Sequence, residues 1–252
     1  MDDCLLKIDN LSCTREGVCR LKNISFSCNR GENMVFFGPE DSGMDTLVSF
    51  ILDLDRDYEG SIYYRGRMLS EFDYTQGLKY KTGIGYLHGD YGLISNMTVE
   101  DNISLPLKYH SNLTVDEIKK VVNRAVDELN LDQCKKLRPI DLSRSEILRT
   151  AYARSIIMDP DLLIVEHAFE GQCPVNILSF TESLEKRAAH EGRSTFIVTY
   201  HPEQFIEQSD RFVMFYRGRI VFSGNRRDFL ESDNKYLIQY KNVAPHGPMV
   251  IL

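Results

Sequence analysis

The sequence has no long apolar run, no closely paired cysteines and no excess of positive charge. No stretch approaches the ~18 consecutive apolar residues of a membrane-spanning helix, and the first residues lack the charge and apolar core of a signal peptide. The six cysteines form no Cys-x-x-Cys pair, so we expect free thiols and neither disulfides nor zinc ligands. The net charge of −7 argues against nucleic acid as the main partner. We therefore expect a soluble, cytosolic protein.

The most informative stretch joins a short apolar run to a helical pattern through a turn that contains glycine. The apolar run is Glu32–Phe37, and the helical pattern begins at Thr46. A strand, a glycine-bearing turn and a helix form the context in which backbone N–H groups bind phosphate. Gly38 and Gly43 have the spacing of a phosphate-binding loop. The alternative is a plain strand–turn–helix without a ligand, and this stretch alone leaves both open.

The side chains of this loop differ from those that phosphate binding requires. The pattern has lysine after the second glycine and then Ser or Thr, but Met44 and Asp45 occupy these two positions. From Gly38 to Asp45 the loop carries three carboxylates and no cation. Two like charges about 4 Å apart cost on the order of 4 kcal/mol at an effective dielectric constant of about 20, before screening by salt. We expect the loop to disfavour nucleotide, and a magnesium ion that bridges Asp45 to phosphate is the alternative.

Elsewhere in the chain, short apolar runs alternate with helical patterns. The runs at 161–166 and 194–199 predict buried parallel strands, and the segment 211–222 predicts a hairpin with glycine in its turn. Capping-box patterns at Thr114 and Ser143 predict the starts of two helices. The alternation indicates an α/β fold with a largely parallel sheet and an inserted, mostly helical block. The end of the chain has no clear period, and we expect it to form an extended arm.

The order of five stretches resembles the ATP-binding subunit of ABC transporters. In chain order, these stretches are the glycine-bearing loop and residues 85–90, 142–146, 161–166 and 198–201. The resemblance covers nearly the whole chain. It implies the ABC ATPase fold. This is an α/β fold of the P-loop NTPase type, in which a mostly parallel sheet is combined with an antiparallel β layer and an inserted helical subdomain. The four parts that it predicts are a core with a β subdomain at 1–89, a helical signature subdomain at 90–158, a second part of the core at 159–233 and a tail at 234–252.

Three further segments, at 97–107, 169–174 and 246–248, are similar to the Mla/MCE lipid-transport branch of this family. The resemblance implies an ATP-binding-type subunit of an Mla/MCE-like lipid transport system. ATP and magnesium are the cofactors of the family, and we expect this chain to bind them weakly or not at all. It also implies an ABC permease subunit and a second ATPase subunit as partners. Such a protein would be cytoplasmic and peripheral on the inner face of the cytoplasmic membrane, attached through the permease.

The chain departs from the family at the positions that carry its chemistry. The nucleotide-binding positions of the family correspond to Gly38, Ser42, Gly43, Met44, Asp45, Thr46 and, in the signature, Ser143. Outside the loop, Gly89 replaces the family's glutamine that senses magnesium, and Arg144 and Ser145 replace the signature glycines. Glu166 and His167 replace the Asp-Glu pair, and Cys173 replaces an aspartate. Tyr200 replaces the histidine that contacts the γ-phosphate, and His201 follows one residue after that position. The aromatic residue that stacks on adenine falls near Arg15.

Together these substitutions remove charge neutralisation, positioning and the general base, which carry phosphoryl transfer. The leading hypothesis is a catalytically degenerate subunit, a pseudo-ATPase with no catalytic residues. One alternative is a functional ATP-binding and hydrolysing subunit in which Glu166, His167 and His201 are unusual replacements and Asp45 and Glu166 hold the metal. Another is a stand-alone scaffold or regulator with this fold. For Ser143, a capping box with Glu146 is the alternative to nucleotide contact.

Overall fold

A computed structural model describes residues 3–188 and 192–250. The strands are β1 (Cys4–Arg15), β2 (Val18–Asn29), β3 (Asn33–Phe37), β4 (Glu59–Tyr64), β5 (Arg67–Met68), β6 (Ile84–His88), β7 (Leu162–Glu166), β8 (Ser194–Thr199), β9 (Arg211–Tyr216) and β10 (Arg219–Asn225). The helices are α1 (Met44–Ile51), α2 (Tyr74–Thr82), α3 (Val99–His110), α4 (Val115–Glu128), α5 (Arg144–Ile156), α6 (Pro174–Ala188), α7 (Arg226–Glu231) and α8 (Lys235–Lys241). The chain divides into two compact units.

The first unit comprises Met1–Lys81 and Leu184–Leu252 and contains strands of two sheets. One sheet has the order β2-β1-β4-β5, and its neighbouring strands are antiparallel. The strands of the other follow the order β10-β9-β3-β8, in which β3 is parallel to both of its neighbours. Every residue of β3 and β8 is buried, as expected for inner parallel strands. These strands confirm the predicted combination of parallel pairing with an antiparallel β layer.

The second unit, Thr82–Ser183, combines the parallel pair β6 and β7 with the helices α3, α4 and α5. The apolar faces of these helices share one core cluster, to which α3 contributes Val99, Ile103 and Leu107, α4 contributes Ile118, Val122, Ala125 and Val126, and α5 contributes Ala153. Helices therefore fill most of the block for which the sequence predicts them. The four-part division of the chain stays a prediction.

Both predicted capping boxes are present. The Thr114 side chain accepts a hydrogen bond from the backbone of Glu117 at the start of α4, and the Glu117 side chain accepts one from the Thr114 backbone. Ser143 and Glu146 make the same reciprocal pair at the start of α5. All six cysteines are free thiols, as expected. Within the described ranges, no helix has the length and hydropathy needed to cross a bilayer.

The prediction of an extended arm from residue 234 is wrong. The Asn234 side chain accepts hydrogen bonds from two backbone amides and caps α8, a helix too short to show a period in the sequence. The buried Gln239 amide then binds the following segment: its Nε2 donates to Met249 O at 2.9 Å, and its Oε1 accepts from Met249 N at 2.7 Å. A side chain at position 247 would collide with Gln239, so Gly247 permits this close approach. The segment after α8 therefore folds back onto its own helix.

Candidate functional site

The phosphate loop, residues 38–46, runs from β3 into α1 and is held by backbone contacts within the first unit. Gly43 is the N-cap of α1 and has a left-handed backbone with φ of 100°. Ser42 is buried, and its carbonyl oxygen accepts a hydrogen bond from Gly218 N at 2.8 Å. The Gly218 carbonyl in turn accepts from Lys22 N at 2.8 Å. The loop is thus tied to the β9–β10 turn and, through it, to β2.

Both loop glycines are required by the packing of the chain itself. A Cβ atom at Gly38 would collide with the carbonyl oxygen of Phe215 in β9. A Cβ atom at Gly43 would collide with the carbonyl oxygen of Arg20 in β2, in addition to the strain of its left-handed backbone. Backbone oxygens in paired strands cannot move aside as a flexible side chain does. The glycine spacing therefore has a structural cause that does not involve a ligand.

The loop side chains are apolar inside and acidic outside. Met44, at the position of the family's lysine, is 3% exposed and belongs to the buried face of α1. Asp45 is exposed, and Thr46 is half-buried. Asp41 forms an ion pair with Arg20, whose Nη1 lies 3.9 Å from Asp41 Oδ1. Because Asp41 is 93% exposed, this pair compensates little of the negative charge.

Arg15, near the predicted position of the adenine-stacking aromatic, is engaged elsewhere. It ends β1, forms an ion pair with Asp55 and lies with its guanidinium carbon 5.6 Å from the centre of the Phe50 ring. Arg15 therefore connects the first hairpin to the end of α1 and the residues that follow it.

The turn after β8 lies close to the start of the phosphate loop. Phe37 and Thr199 are partners in the parallel register of β3 and β8, so the residues that follow them leave the sheet side by side. Tyr200 is half-buried, whereas His201 is exposed, with its Nδ1 3.4 Å from Glu203 Oε1. The structure thus brings the predicted Tyr200 position together with the predicted loop. His201 faces solvent beside its own neighbour in sequence.

In the second unit, Glu166 ends β7 and is 4% exposed. Its carboxylate accepts a hydrogen bond from the Tyr86 hydroxyl of β6. Sequence reasoning did not assign a role to Tyr86. The contact depends on the parallel pairing of β6 with β7, which sets His88 opposite Glu166 and which sequence reasoning did not predict.

His167 follows Glu166 in a left-handed backbone conformation with φ of 50°, which is uncommon for a residue with a side chain. Its carbonyl oxygen would lie 2.6 Å from a Cβ atom at Gly89. The imidazole is 14% exposed, and its Nδ1 lies 3.2 Å from Glu170 Oε1. The turn at His167 therefore occupies the space that a glutamine side chain at position 89 would need.

The signature segment uses its polar side chains to begin α5. Ser143 Oγ accepts from Glu146 N at 3.3 Å, and the Glu146 carboxylate accepts from Ser143 N at 2.8 Å. These contacts with Ser143 lower the pKa of Glu146. Arg144 covers Gly171, and its Nη1 donates to the Gly171 carbonyl at 3.2 Å. The predicted capping role of Ser143 is confirmed, and Arg144 contacts the segment that follows β7.

Ser143→Ala is expected to lower the free energy of unfolding by about 1 kcal/mol at neutral pH, because the cap is lost. Because the pKa of Glu146 is lowered, its carboxylate stabilises the fold fully at pH values above the ordinary glutamate pKa of 4.5. This contribution disappears as the pH falls through the lowered pKa of Glu146. The difference between wild type and variant should therefore shrink in acid, as measured by urea denaturation at several pH values.

Ser145→Ala is the matched control for this prediction, since Ser145 lies in the same turn and is not the cap. Its stability should stay within about 0.5 kcal/mol of wild type. A Ser143→Ala variant as stable as Ser145→Ala at neutral pH would contradict the role of the cap.

Comparison with known proteins identifies the family. A sequence profile described as ABC transporter matches residues 21–170, more than half of the chain. The chain belongs to the ABC transporter family. The matched range includes the phosphate loop, the signature segment and the Glu166–His167 pair, so the substituted positions lie inside the region that carries the family pattern.

Its ABC relatives are ATP-binding subunits of several transport systems. The chain is 24% identical over 250 residues to the intermembrane phospholipid transport system ATP-binding protein MlaF of Haemophilus influenzae, which covers 99% of this chain and 94% of that protein. It is 28% identical to the methionine import ATP-binding protein MetN of Bartonella henselae, with 97% and 71% covered. It is 27% identical to the sulfate/thiosulfate import ATP-binding protein CysA of Mesostigma viride, with 89% and 63% covered. The chain is therefore an ABC transporter ATP-binding subunit.

Solved structures confirm the predicted fold. The chain superposes on cbiO1 from Clostridium perfringens, part of the ABC transporter complex cbiONQ, with a TM-score of 0.82, 22% identity and 96% of each chain covered. It superposes on the dimeric ATP-binding cassette MJ0796 bound to ADP and phosphate with a TM-score of 0.81, 21% identity and coverage of 88% of this chain and 99% of that one. These likenesses show the ABC ATPase fold.

Proposed function

We propose that this chain is a catalytically degenerate ATP-binding subunit, a pseudo-ATPase, of an Mla/MCE-like lipid transport system. The observation that carries the proposal is the buried Met44 at the start of α1, where the family has the lysine that neutralises phosphate. An apolar side chain there supplies no charge, and the exposed Asp45 beside it repels phosphate. The loop keeps the shape of a phosphate-binding loop without its charges.

The second unit supports the same proposal. Phosphoryl transfer depends on positioned cations and on a residue that orients or activates the nucleophile. Glu166 is the residue that would hold magnesium, and its carboxylate is already bound by the Tyr86 hydroxyl. His167 stands in the place of the general base, but it lies in a left-handed turn beside Glu170. Gly89 supplies no side chain to complete such a centre.

Two observations support the lipid-transport assignment. The match to MlaF extends over nearly the full length of both proteins, whereas the matches to MetN and CysA cover 71% and 63% of those proteins. The segments 97–107, 169–174 and 246–248 are similar to the Mla/MCE branch. The subunit would bind an ABC permease and lie on the inner face of the cytoplasmic membrane.

ATP sites in this family are composite, with a phosphate loop from one subunit and a signature from the other. A homodimer of this chain would have two substituted sites. A heterodimer with an intact second ATPase subunit would keep one site with a complete phosphate loop, facing Ser143 of this chain. Because Ser143 already caps α5, its role in that site would be to place the helix end. Co-purification with neither an ATPase nor a membrane subunit would favour the stand-alone scaffold instead.

Calorimetric titration of ATP and magnesium into the purified chain is expected to give a Kd weaker than about 1 mM, because no lysine offsets the charge of the phosphates. The matched control is the double variant Met44→Lys/Asp45→Ser, which restores the family pattern on the same backbone. If the double variant binds nucleotide measurably and the wild-type chain does not, the loss of nucleotide binding is due to these two side chains.

Micromolar binding by the wild-type chain would contradict this proposal and favour a functional ATP-binding subunit. ATP turnover by the purified chain that disappears in His167→Ala would contradict the assignment as a pseudo-ATPase. Both measurements use the chain without partners, so neither result depends on the choice of permease.

A further inference from the structure

Tyr240 of α8 reaches two backbone carbonyls that belong to different loops of the first unit. Its hydroxyl lies 2.8 Å from Tyr200 O and 3.2 Å from Gly38 O. The ring packs edge-on against Phe37, with the ring centres 5.4 Å apart. One side chain therefore contacts the end of β3, the first residue of the phosphate loop and the turn after β8.

The surroundings of α8 fix the position of this hydroxyl. Asn234 caps the helix at one end. At the other end, Lys241 Nζ donates to Phe229 O at 2.9 Å and to Leu230 O at 3.0 Å. Gln239, the residue before Tyr240, binds the returning segment through Met249. Contacts at both ends of α8 and at the buried Gln239 hold the helix, so the Tyr240 side chain has a defined position.

The two loops leave neighbouring strands, because Phe37 and Thr199 are partners in the β3–β8 register. A hydroxyl that shares its proton between the carbonyls beyond these two residues fixes the distance between the loops. Burial raises the pKa of Tyr240, so the hydroxyl stays protonated and remains a donor across the physiological range.

We propose that α8 is a built-in strap that joins the phosphate loop to the turn at Tyr200 through the Tyr240 hydroxyl. The strap orders both loops in the absence of a ligand. Its existence does not depend on whether the chain binds or hydrolyses ATP, so this inference goes beyond the proposed function. It assigns the region after residue 234 a conformational role toward the site.

Tyr240→Phe tests the strap, because phenylalanine keeps the packing against Phe37 and removes only the hydroxyl. Hydrogen exchange of the full-length chain, followed by mass spectrometry without nucleotide, is the measurement. Amides of residues 40–46 and of the turn at 200–205 should exchange about five- to tenfold faster in the variant, as expected for the loss of one net hydrogen bond. Amides in the middle of β3 and β8 should keep their wild-type rates.

Tyr236→Phe is the matched control, since it removes a hydroxyl one turn earlier in the same helix. Both loops should exchange at the wild-type rate in this variant. Three results would overturn the strap: unchanged exchange in both loops of Tyr240→Phe, faster exchange in only one of them, or a uniform increase that includes the centres of β3 and β8. Because no ATP is present, a failure here is distinguishable from a failure of the nucleotide titration.

Discussion

Gly38→Ala is expected to lower the free energy of unfolding by about 3 kcal/mol, the upper part of the range for overpacking a tightly packed site. The added methyl group would collide with the carbonyl oxygen of Phe215. Phe215 is fully buried in β9, and β9 pairs with both β3 and β10, so its backbone cannot retreat without disturbing two strands. Equilibrium denaturation in urea, with the slope and midpoint both compared to wild type, measures the loss.

Gly77→Ala is the control for the same chemical change in open space. Gly77 is inside α2, and outside its own stretch of this helix no heavy atom lies within 4 Å of a Cβ atom built there. Alanine is favoured over glycine in a helix interior by roughly 0.5–1 kcal/mol, so this variant should be as stable as wild type or slightly more stable. If Gly38→Ala unfolds at the same urea concentration as Gly77→Ala, packing does not explain the glycine. In that case the retained glycine would again count as evidence for a ligand.

Restoring the family's glutamine with Gly89→Gln is expected to destabilise the fold by about 2 kcal/mol and to leave ATP binding and hydrolysis unrestored. The Cβ atom would lie 2.6 Å from His167 O and 3.2 Å from His167 C. To admit the side chain, the turn at His167 must move, and this turn directly follows the buried Glu166. The substitutions at positions 89 and 167 are thus sterically linked, and reversing one alone creates a collision.

Gly77→Gln supplies the matched control, because it introduces the same side chain at an open helical position. Its free energy of unfolding should equal or exceed that of wild type, since glutamine is a good helix former. The two variants are compared by thermal and urea denaturation, and by calorimetry with ATP and magnesium. A Gly89→Gln protein as stable as Gly77→Gln would show that the His167 turn yields easily, and would remove the steric argument against a glutamine here.

Features set by a few neighbouring residues were predictable from the sequence. The capping boxes at Thr114 and Ser143 depend on a side chain three residues away, and both are present. Continuous apolar runs marked β3, β7 and β8, which are buried throughout. The order of the motifs led to the family, which the match over residues 21–170 confirms. The substitutions at Met44 and Asp45 were also visible at once, since a missing lysine needs no structure to be noticed.

The sequence by itself determined the family, the strand–loop–helix of the phosphate loop and the loss of its charged side chain. Only the tertiary structure decided why position 38 requires glycine, where the obstacle is Phe215, and that Tyr240 contacts the first residue of the phosphate loop. These contacts join residues about 177 to 202 positions apart in the chain (215 − 38 and 240 − 38). Local patterns record burial and helix ends, whereas such contacts depend on strand order and register. The physical reason is that a close approach between two backbones leaves no mark on the sequence except a glycine. A glycine can also be required by a turn or by a ligand, so the sequence does not say which.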